Sequence, residues 1–473
     1  LIAIPFLLSS LGEFNFGLFS LFSILILILV ISDFGLSKSG VRFITLFWNK
    51  PNEKYIYSTL FSLTLFLCFI LIFFGVLLNK VILSLLIELD HEKYTDIYFL
   101  CLFITVMLII RGYFIGIVFS FQEYKFYNIT NIIVEIIKWS LTVYVSYFNN
   151  PLKLIFIVHA ISFLLHNIIL YIYTSKLISK KKFKIFDFPN IIICKKILSF
   201  SSKITIADFF QKIISYSDKI LVAILGSISG LSFYYIAFQV VSKLNEIPSN
   251  ILLVYYTRFG LSSSNNDRDQ LVKDFRNASR IISIIVIPIV INLFMASNFL
   301  LKLWLQTESV ENIESIENIL NILCFGSLFS CLALPCFSLA SAVGKPNYIL
   351  VNNVYSSIFL ILINVVLIKN YGIIGAAYSW SIVQFFVLIF MSIKVSKYLN
   401  IGFKNYIVKH FLNILLKVGF SFILIYFLLG YFINNITFNL LMSNICIFII
   451  IYNFILLPVE KKILNSLINK LKI

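Results

Sequence analysis

The sequence predicts an all-α, polytopic membrane protein of about fourteen transmembrane helices, and three observations carry the prediction. Hydrophobic residues make up 60% of the 473 residues and charged residues only 12%, against about 25% charged in ordinary soluble domains. Mean hydropathy is +0.98. Apolar runs of bilayer-spanning length also recur along the whole chain, and the segments between them alternate between basic and acidic.

The chain opens at Leu1 in the middle of hydrophobic sequence, so residues 1–8 read as the remnant of a first helix that has lost most of its length. Spans follow at 17–37, 56–78, 97–120, 129–149, 152–175, 197–225, 231–257, 278–301, 318–343, 346–369, 373–396, 409–433 and 436–458. If the N-terminus is cytoplasmic, the inner connections hold 26 of the 38 Lys and Arg residues, seven of them between Lys176 and Lys196. The outer connections are acidic, as at Glu88, Asp90, Glu92 and Asp96. The positive-inside rule then places both termini in the cytoplasm, and moving the count by one helix would scramble the segregation.

This distribution also accounts for the net charge of +17 without nucleic acid as a partner. The connections are too short to fold as an enzyme domain, and no GxxxxGK[ST] phosphate loop occurs, so the chain does not hydrolyse ATP by itself. Seven cysteines, mostly inside apolar spans, show no disulfide framework and no metal spacing; they read as small apolar fillers. No cofactor is predicted.

A faint internal repeat organises the spans. Leu11-Gly12 followed by Gly17 echoes Leu225-Gly226 followed by Gly230, and Lys125 before Asn131 echoes Lys345 before Asn352. The offsets preserve membrane orientation, which is a parallel repeat. The expected organisation is an N-terminal lobe at 1–196, a C-terminal lobe at 197–400, and appended helices 13 and 14 with a basic cytoplasmic tail at 401–473, the lobes related by a pseudo-two-fold around a central cavity.

Candidate functional residues are charges placed where hydrocarbon is expected. Asp208, Lys212, Ser215 and Lys219 are spaced four, three and four apart, within roughly a 60° sector at about 100° per residue. Gln239, Lys243, Glu246 and Asn250 repeat the spacing, and so do Asn131, Glu135, Lys138 and Thr142. A charge at bilayer depth costs about 2.5–3.5 kcal/mol on insertion scales, so such stripes face a bundle interior or a wet cavity. Alternatively, Glu135/Lys138, Asp208/Lys212 and Lys243/Glu246 neutralise one another at helix contacts. Arg111 lies within one span, Asp33 near the inner end of another, and Arg42 just beyond it. His159 and His166 read as interhelical hydrogen-bond partners. Gly112 with Gly116, and Gly372 with Ala376, read as packing seams, while Pro248, Pro288 and Pro335 interrupt helices. Cations outnumber acids, so the cavity favours an anionic, phosphate-bearing substrate bound by Arg111, Lys138, Lys212, Lys219 and Lys243. The acids Glu135, Asp208, Asp218 and Glu246 are left to bind a driving H⁺ or Na⁺. No nucleophile and base stand together and no metal site is evident, so a transporter is predicted and not an enzyme.

Ile4-Pro5 with Leu11-Gly12 and Phe16-Gly17-Leu18-Phe19, then Ser32-Asp33-Phe34-Gly35-Leu36 with Arg42, resembles the opening of polysaccharide-transporter flippases of the multidrug/oligosaccharidyl-lipid/polysaccharide exporter superfamily. Asp218-Lys219 with Leu225-Gly226, Tyr234, Tyr235, Ala237 and Pro248 is similar to the start of the second lobe in that family. Gly344-Lys345-Pro346 and Tyr371-Gly372-Ile373-Ile374-Gly375-Ala376-Ala377 look like its later signatures. The resemblance implies a flippase of the bacterial inner membrane that carries an undecaprenyl-pyrophosphate-linked O-antigen or capsule repeat unit to the outer leaflet by alternating access. It adds Asp33, Arg42 and Arg258 as charged cavity residues, Arg42 and Arg258 on the substrate and Asp33 among the acids for ion coupling. Implied partners are the lipid-linked oligosaccharide, membrane lipids, a glycan polymerase and a chain-length regulator. A drug or metabolite cation antiporter, or a lipid II flippase, of the same superfamily remains an alternative.

Overall fold

The structure is a computed structural model that describes residues 2–48, 53–86, 91–180, 189–305 and 310–402. The predicted helices 13 and 14 and the basic tail lie outside the described residues. All regular structure among the described residues is helical. It runs as α1 (Ala3–Leu29), a 3₁₀ turn (Val30–Asp33), α2 (Leu36–Leu46), α3 (Glu53–Leu77), α4 (Asn79–Leu86), α5 (His91–Ser120), α6 (Tyr124–Val145), α7 (Pro151–Lys180) and α8 (Ile191–Leu225). It continues as α9 (Ile228–Leu244), α10 (Glu246–Ser264), α11 (Arg268–Met295), α12 (Ser297–Leu305), α13 (Val310–Ala342) and α14 (Pro346–Leu399).

These segments fall on the predicted spans with some joined and others divided. Gly12 (φ 70°, ψ 170°) breaks α1, joining the predicted remnant at 1–8 to the next span. That span ends earlier than expected, because Phe34 (φ 48°) and Gly35 (φ 66°) are left-handed and turn the chain into α2. Gly372 (φ 59°, ψ −141°) bends α14 into the two spans expected at 346–369 and 373–396. Gly372 therefore serves as a kink, a backbone conformation that a Cβ makes costly, and not as half of a packing seam. Gly112 and Gly116 do form a seam: a Cβ at Gly116 would stand 3.2 Å from the Ser37 carbonyl oxygen, and one at Gly112 3.1 Å from Ser37 Cβ. Pro288 and Pro335 lie inside the continuous helices α11 and α13 and do not interrupt them.

The chain divides into two compact units. Among the described residues, those up to 236 and 353–379 form unit 1, and those from 237 to 352 with 380–402 form unit 2. In unit 1, α5 packs on α2 and α7, and α6 on α7. Its core includes Ile44, Ile56, Tyr57, Leu60, Ile117, Leu170 and Ile197. In unit 2, α10, α11 and α13 pack on one another, burying Phe259, Phe275, Ile282 and Leu323 fully. Large apolar side chains also cover outer surfaces, with Phe66 59%, Phe69 67% and Phe73 54% exposed on α3. Such surfaces suit a hydrocarbon solvent, in which backbone polar groups must be satisfied within the helices themselves. Seven of the described helical stretches are long and apolar enough to cross a membrane. The long helices α6 and α8 are not among the seven, because their polar side chains lower their hydropathy.

Candidate functional site

In unit 1, α5, α6 and α7 bring the first cluster together. On α6 the apolar residues Ile132, Ile133, Ile136 and Ile137 are 52–62% exposed. The same helical period therefore turns Asn131, Glu135, Lys138 and Thr142 toward the neighbouring helices. Arg111 of α5 donates through one Nη to the Tyr127 hydroxyl (2.9 Å) and to Asn131 Oδ1 (2.7 Å). Lys138 is 7% exposed, pairs with Glu135 at 2.6 Å, and lies 4.8 Å from the Phe163 ring centroid. Thr142 spends its proton on the Lys138 carbonyl (2.7 Å), so the 3.1 Å contact between Thr142 Oγ1 and His159 Nε2 requires the imidazole to donate. His166 is fully buried and stacks on Tyr127 at 6.1 Å and 19°. Neither of its ring nitrogens has a hydrogen-bond partner among the described residues, nor does Arg111 Nε. Buried polar groups left so cost about 1–3 kcal/mol each. The cluster is rich in donors and cations, and that chemistry suits an anion.

A second cluster joins α2 to α8. Lys38 pairs with Asp208 through both carboxylate oxygens, at 2.9 and 2.7 Å. Ser39 and Ser201 hydrogen-bond at 2.6 Å. Half-buried Lys212 lies one turn after Asp208 on α8 and stands 5.2 Å from the Tyr216 ring centroid. Asp33 is engaged locally, accepting from the Gly35 amide (2.6 Å) and the Ser37 hydroxyl (3.0 Å) at the start of α2. Asp208 is thus paired across helices to Lys38, a residue the spacing argument did not select.

The same α8 face ends in a dry contact. Asp218 and Lys219 are 0% and 2% exposed and 3.0 Å apart. Lys219 Nζ also donates to the Ser215 carbonyl (2.8 Å), and the Tyr234 hydroxyl of α9 donates to Asp218 (2.6 Å). The lower part of the stripe is therefore half-exposed, and its far end is sealed.

In unit 2 the second stripe does not lie on one helix. The span expected at 231–257 divides at Asn245 into α9 and α10, putting Lys243 in a last turn and Glu246 in a first turn. Each side chain then complements the dipole of its own helix end. They pair at 2.6 Å and are 48% and 60% exposed. Pro248, lacking an N–H, cannot bond the Leu244 carbonyl; that oxygen instead accepts from the Cys331 thiol at 3.7 Å. Asn245 Oδ1 accepts from Ser330 (3.1 Å) and Cys331 (3.3 Å). Exposed Arg258 lies 5.5 Å from the Tyr255 ring centroid.

Exposed Arg42, in unit 1, lies over the Phe200 ring at 4.1 Å. No group of His, Cys, Asp and Glu that could hold a metal ion occurs among the described residues.

The sequence model of the polysaccharide biosynthesis protein family matches residues 11–311, a stretch that contains every candidate site residue. The chain belongs to that family. The match agrees with the resemblance drawn from the opening and second-lobe motifs. A putative O-antigen transporter of Shigella flexneri is 24% identical over 395 residues, spanning 81% of this chain and 90% of the relative. Among solved structures, the lipid II flippase MurJ in an inward closed conformation superposes with a TM-score of 0.72 over 95% of each chain, at 15% identity. An inward-facing multidrug resistance transporter of the MATE family, MOP superfamily, gives 0.69 over 85% of this chain and 94% of its own, at 13% identity. At these identities the structural likeness concerns the fold. This family member is a membrane protein whose charged residues sit in separate clusters rather than along unbroken stripes. Lys38, Tyr127 and Phe163, which help complete those clusters, were not selected from the sequence, although their partners Asp208, Arg111 and Lys138 were; Tyr234 stood only in the second-lobe motif.

Proposed function

We propose that this chain is a flippase that carries an undecaprenyl-pyrophosphate-linked oligosaccharide repeat unit across the bacterial cytoplasmic membrane. It works by alternating access, with both termini cytoplasmic, and delivers its cargo toward a glycan polymerase and its chain-length regulator. The observation that carries the reading is the α5–α6–α7 cluster, where two cations stand beside a single acid: Lys138 pairs with Glu135, and Arg111 donates to Asn131 one turn earlier on the same α6 face. Arg111 offers a planar fork suited to phosphate oxygens, and Lys138 a point charge. The family and the named Shigella flexneri relative support the polysaccharide cargo.

The chemistry is an exchange. The incoming pyrophosphate competes with Glu135 for Lys138, and the released carboxylate takes up H⁺ or Na⁺; the ion leaves when the substrate leaves and the pair re-forms. Lys212 and Lys38 around Asp208 provide a second station of the same kind, and Lys243 with Glu246 a third in unit 2. Asp218 and Lys219 belong to the scaffold in this reading.

Flipping of a lipid-linked oligosaccharide in proteoliposomes under an imposed H⁺ or Na⁺ gradient tests the proposal. Wild type should flip it, Arg111→Ala/Lys138→Ala should reduce the rate at least tenfold, and Glu135→Gln should uncouple the rate from the gradient. Wild-type flux in the double variant would remove the cluster from the path. Flux of lipid II or cationic dyes without flux of the oligosaccharide would assign the chain to a sister activity.

A further inference from the structure

Arg42, Lys195 and Lys196 gather at one end of the α2–α8 contact, about 20 Å along α8 from Asp208 at about 1.5 Å rise per residue. They line an open pocket of about 510 Å³ together with Phe43, Ser199 and Phe200, and Leu46 completes the lining. All three cations are exposed, and among the described residues no acid lines the pocket. Phe200 supports Arg42 from below at 4.1 Å. The two lysines lie in the second turn of α8, whose start is fixed by the Asn190 side chain accepting from the Ile192 and Ile193 amides at 2.9 and 3.2 Å. The positive end of that helix adds to the same sign of charge.

The surroundings of the pocket are apolar and open. Leu46 is 48% exposed, Ile191 73%, Ile192 65% and Leu198 39%. A cationic pocket beside exposed aliphatic side chains matches a ligand with an anionic head and a hydrocarbon body. The lysine-rich segment from Lys176 to Lys196 places this end of α8 on the predicted cytoplasmic side, where the anionic lipid headgroups of a membrane attract basic pockets.

We propose that this pocket binds the phosphate headgroup of an anionic phospholipid of the surrounding membrane, with the acyl chains running along Leu46, Ile191, Ile192 and Leu198. Arg42 and the two lysines neutralise the phosphodiester, Ser199 offers a hydroxyl donor, and the pocket has room for the glycerol moiety. The inference assigns Arg42 to a bound lipid instead of the translocated cargo, and it stands whether or not the flippase reading does.

Native mass spectrometry of the full chain, purified with dioleoyl-phosphatidylglycerol or dioleoyl-phosphatidylcholine, tests it. One phosphatidylglycerol per chain should resist delipidation, and phosphatidylcholine should not. At roughly fivefold per cation, Lys195→Ala/Lys196→Ala should weaken the retained phosphatidylglycerol by about 30-fold. Lys195→Arg/Lys196→Arg should keep it, and neutralising the exposed Lys80 and Lys153 elsewhere should leave it unchanged. Equal retention in wild type and the alanine variant, or equal retention of both lipids, overturns the proposal. So does displacement by millimolar inorganic phosphate, which would make the site one for free phosphate, or by the lipid-linked oligosaccharide, which would return it to the substrate path.

Discussion

Replacing Lys219 by Met should destabilise unit 1 by about 3–5 kcal/mol, because removing one member of a desolvated ion pair leaves the other charge buried. The pair is 2% and 0% exposed. Lys219 Nζ reaches both Asp218 oxygens, at 3.1 and 3.0 Å. In the variant a buried carboxylate is left to the Tyr234 hydroxyl, which donates to it at 2.6 Å. A loss of this size corresponds to a fall in Tm of roughly 6–20 °C for a unit of some 250 residues. Asp218→Asn/Lys219→Met removes both charges and should recover most of the loss, since exchanging a whole buried pair for neutral groups is commonly neutral or stabilising. The assay is thermal unfolding of wild type, Lys219→Met, Asp218→Asn and the double variant in nanodiscs, read beside glycan export in cells. A single variant that melts within about 2 °C of wild type, or losses that simply add, would show that water reaches the pair and refute the reasoning. A well-folded double variant that exports nothing would instead place these residues in the transport path.

Two further outcomes follow from packing. Gly116→Leu should force α2 from α5, since even a Cβ at this position would sit 3.2 Å from the Ser37 carbonyl oxygen; the expected loss is about 2–3 kcal/mol, seen as reduced Tm and reduced membrane-inserted protein. Asn245→Ala should remove the acceptor that Ser330 and Cys331 share, lowering stability by about 1–2 kcal/mol and raising the rate at which a maleimide labels Cys331, which is fully buried in wild type. An unchanged labelling rate would mean that the α9–α10 break is held by other contacts.

Much of this protein was legible before any fold was drawn. Spans, polar faces and the Gly112/Gly116 seam follow from partition energy and helical period, which act over neighbouring residues. Asn131, Glu135 and Lys138 on one face of α6 are of this kind. The motif likeness, spread in order along the chain, pointed to the family that the match over residues 11–311 shows. The division of the second stripe was legible in part: Pro248 was expected to interrupt its helix, and the structure puts the break at Asn245, where Lys243 and Glu246 then stand at opposite helix ends.

The amino-acid order alone determined which residues enter the membrane, which side of each helix is polar, and that cations outnumber acids there. Tertiary structure alone decided what those sides meet. It set Lys38 against Asp208 across 170 residues of chain, sealed Asp218 and Lys219 under Tyr234, and grouped Arg42 with two lysines of α8. The reason is geometric: a helix repeats every 3.6 residues whatever surrounds it, whereas the partner of a side chain depends on where a distant helix crosses, and that crossing is chosen by the packing of both helices together.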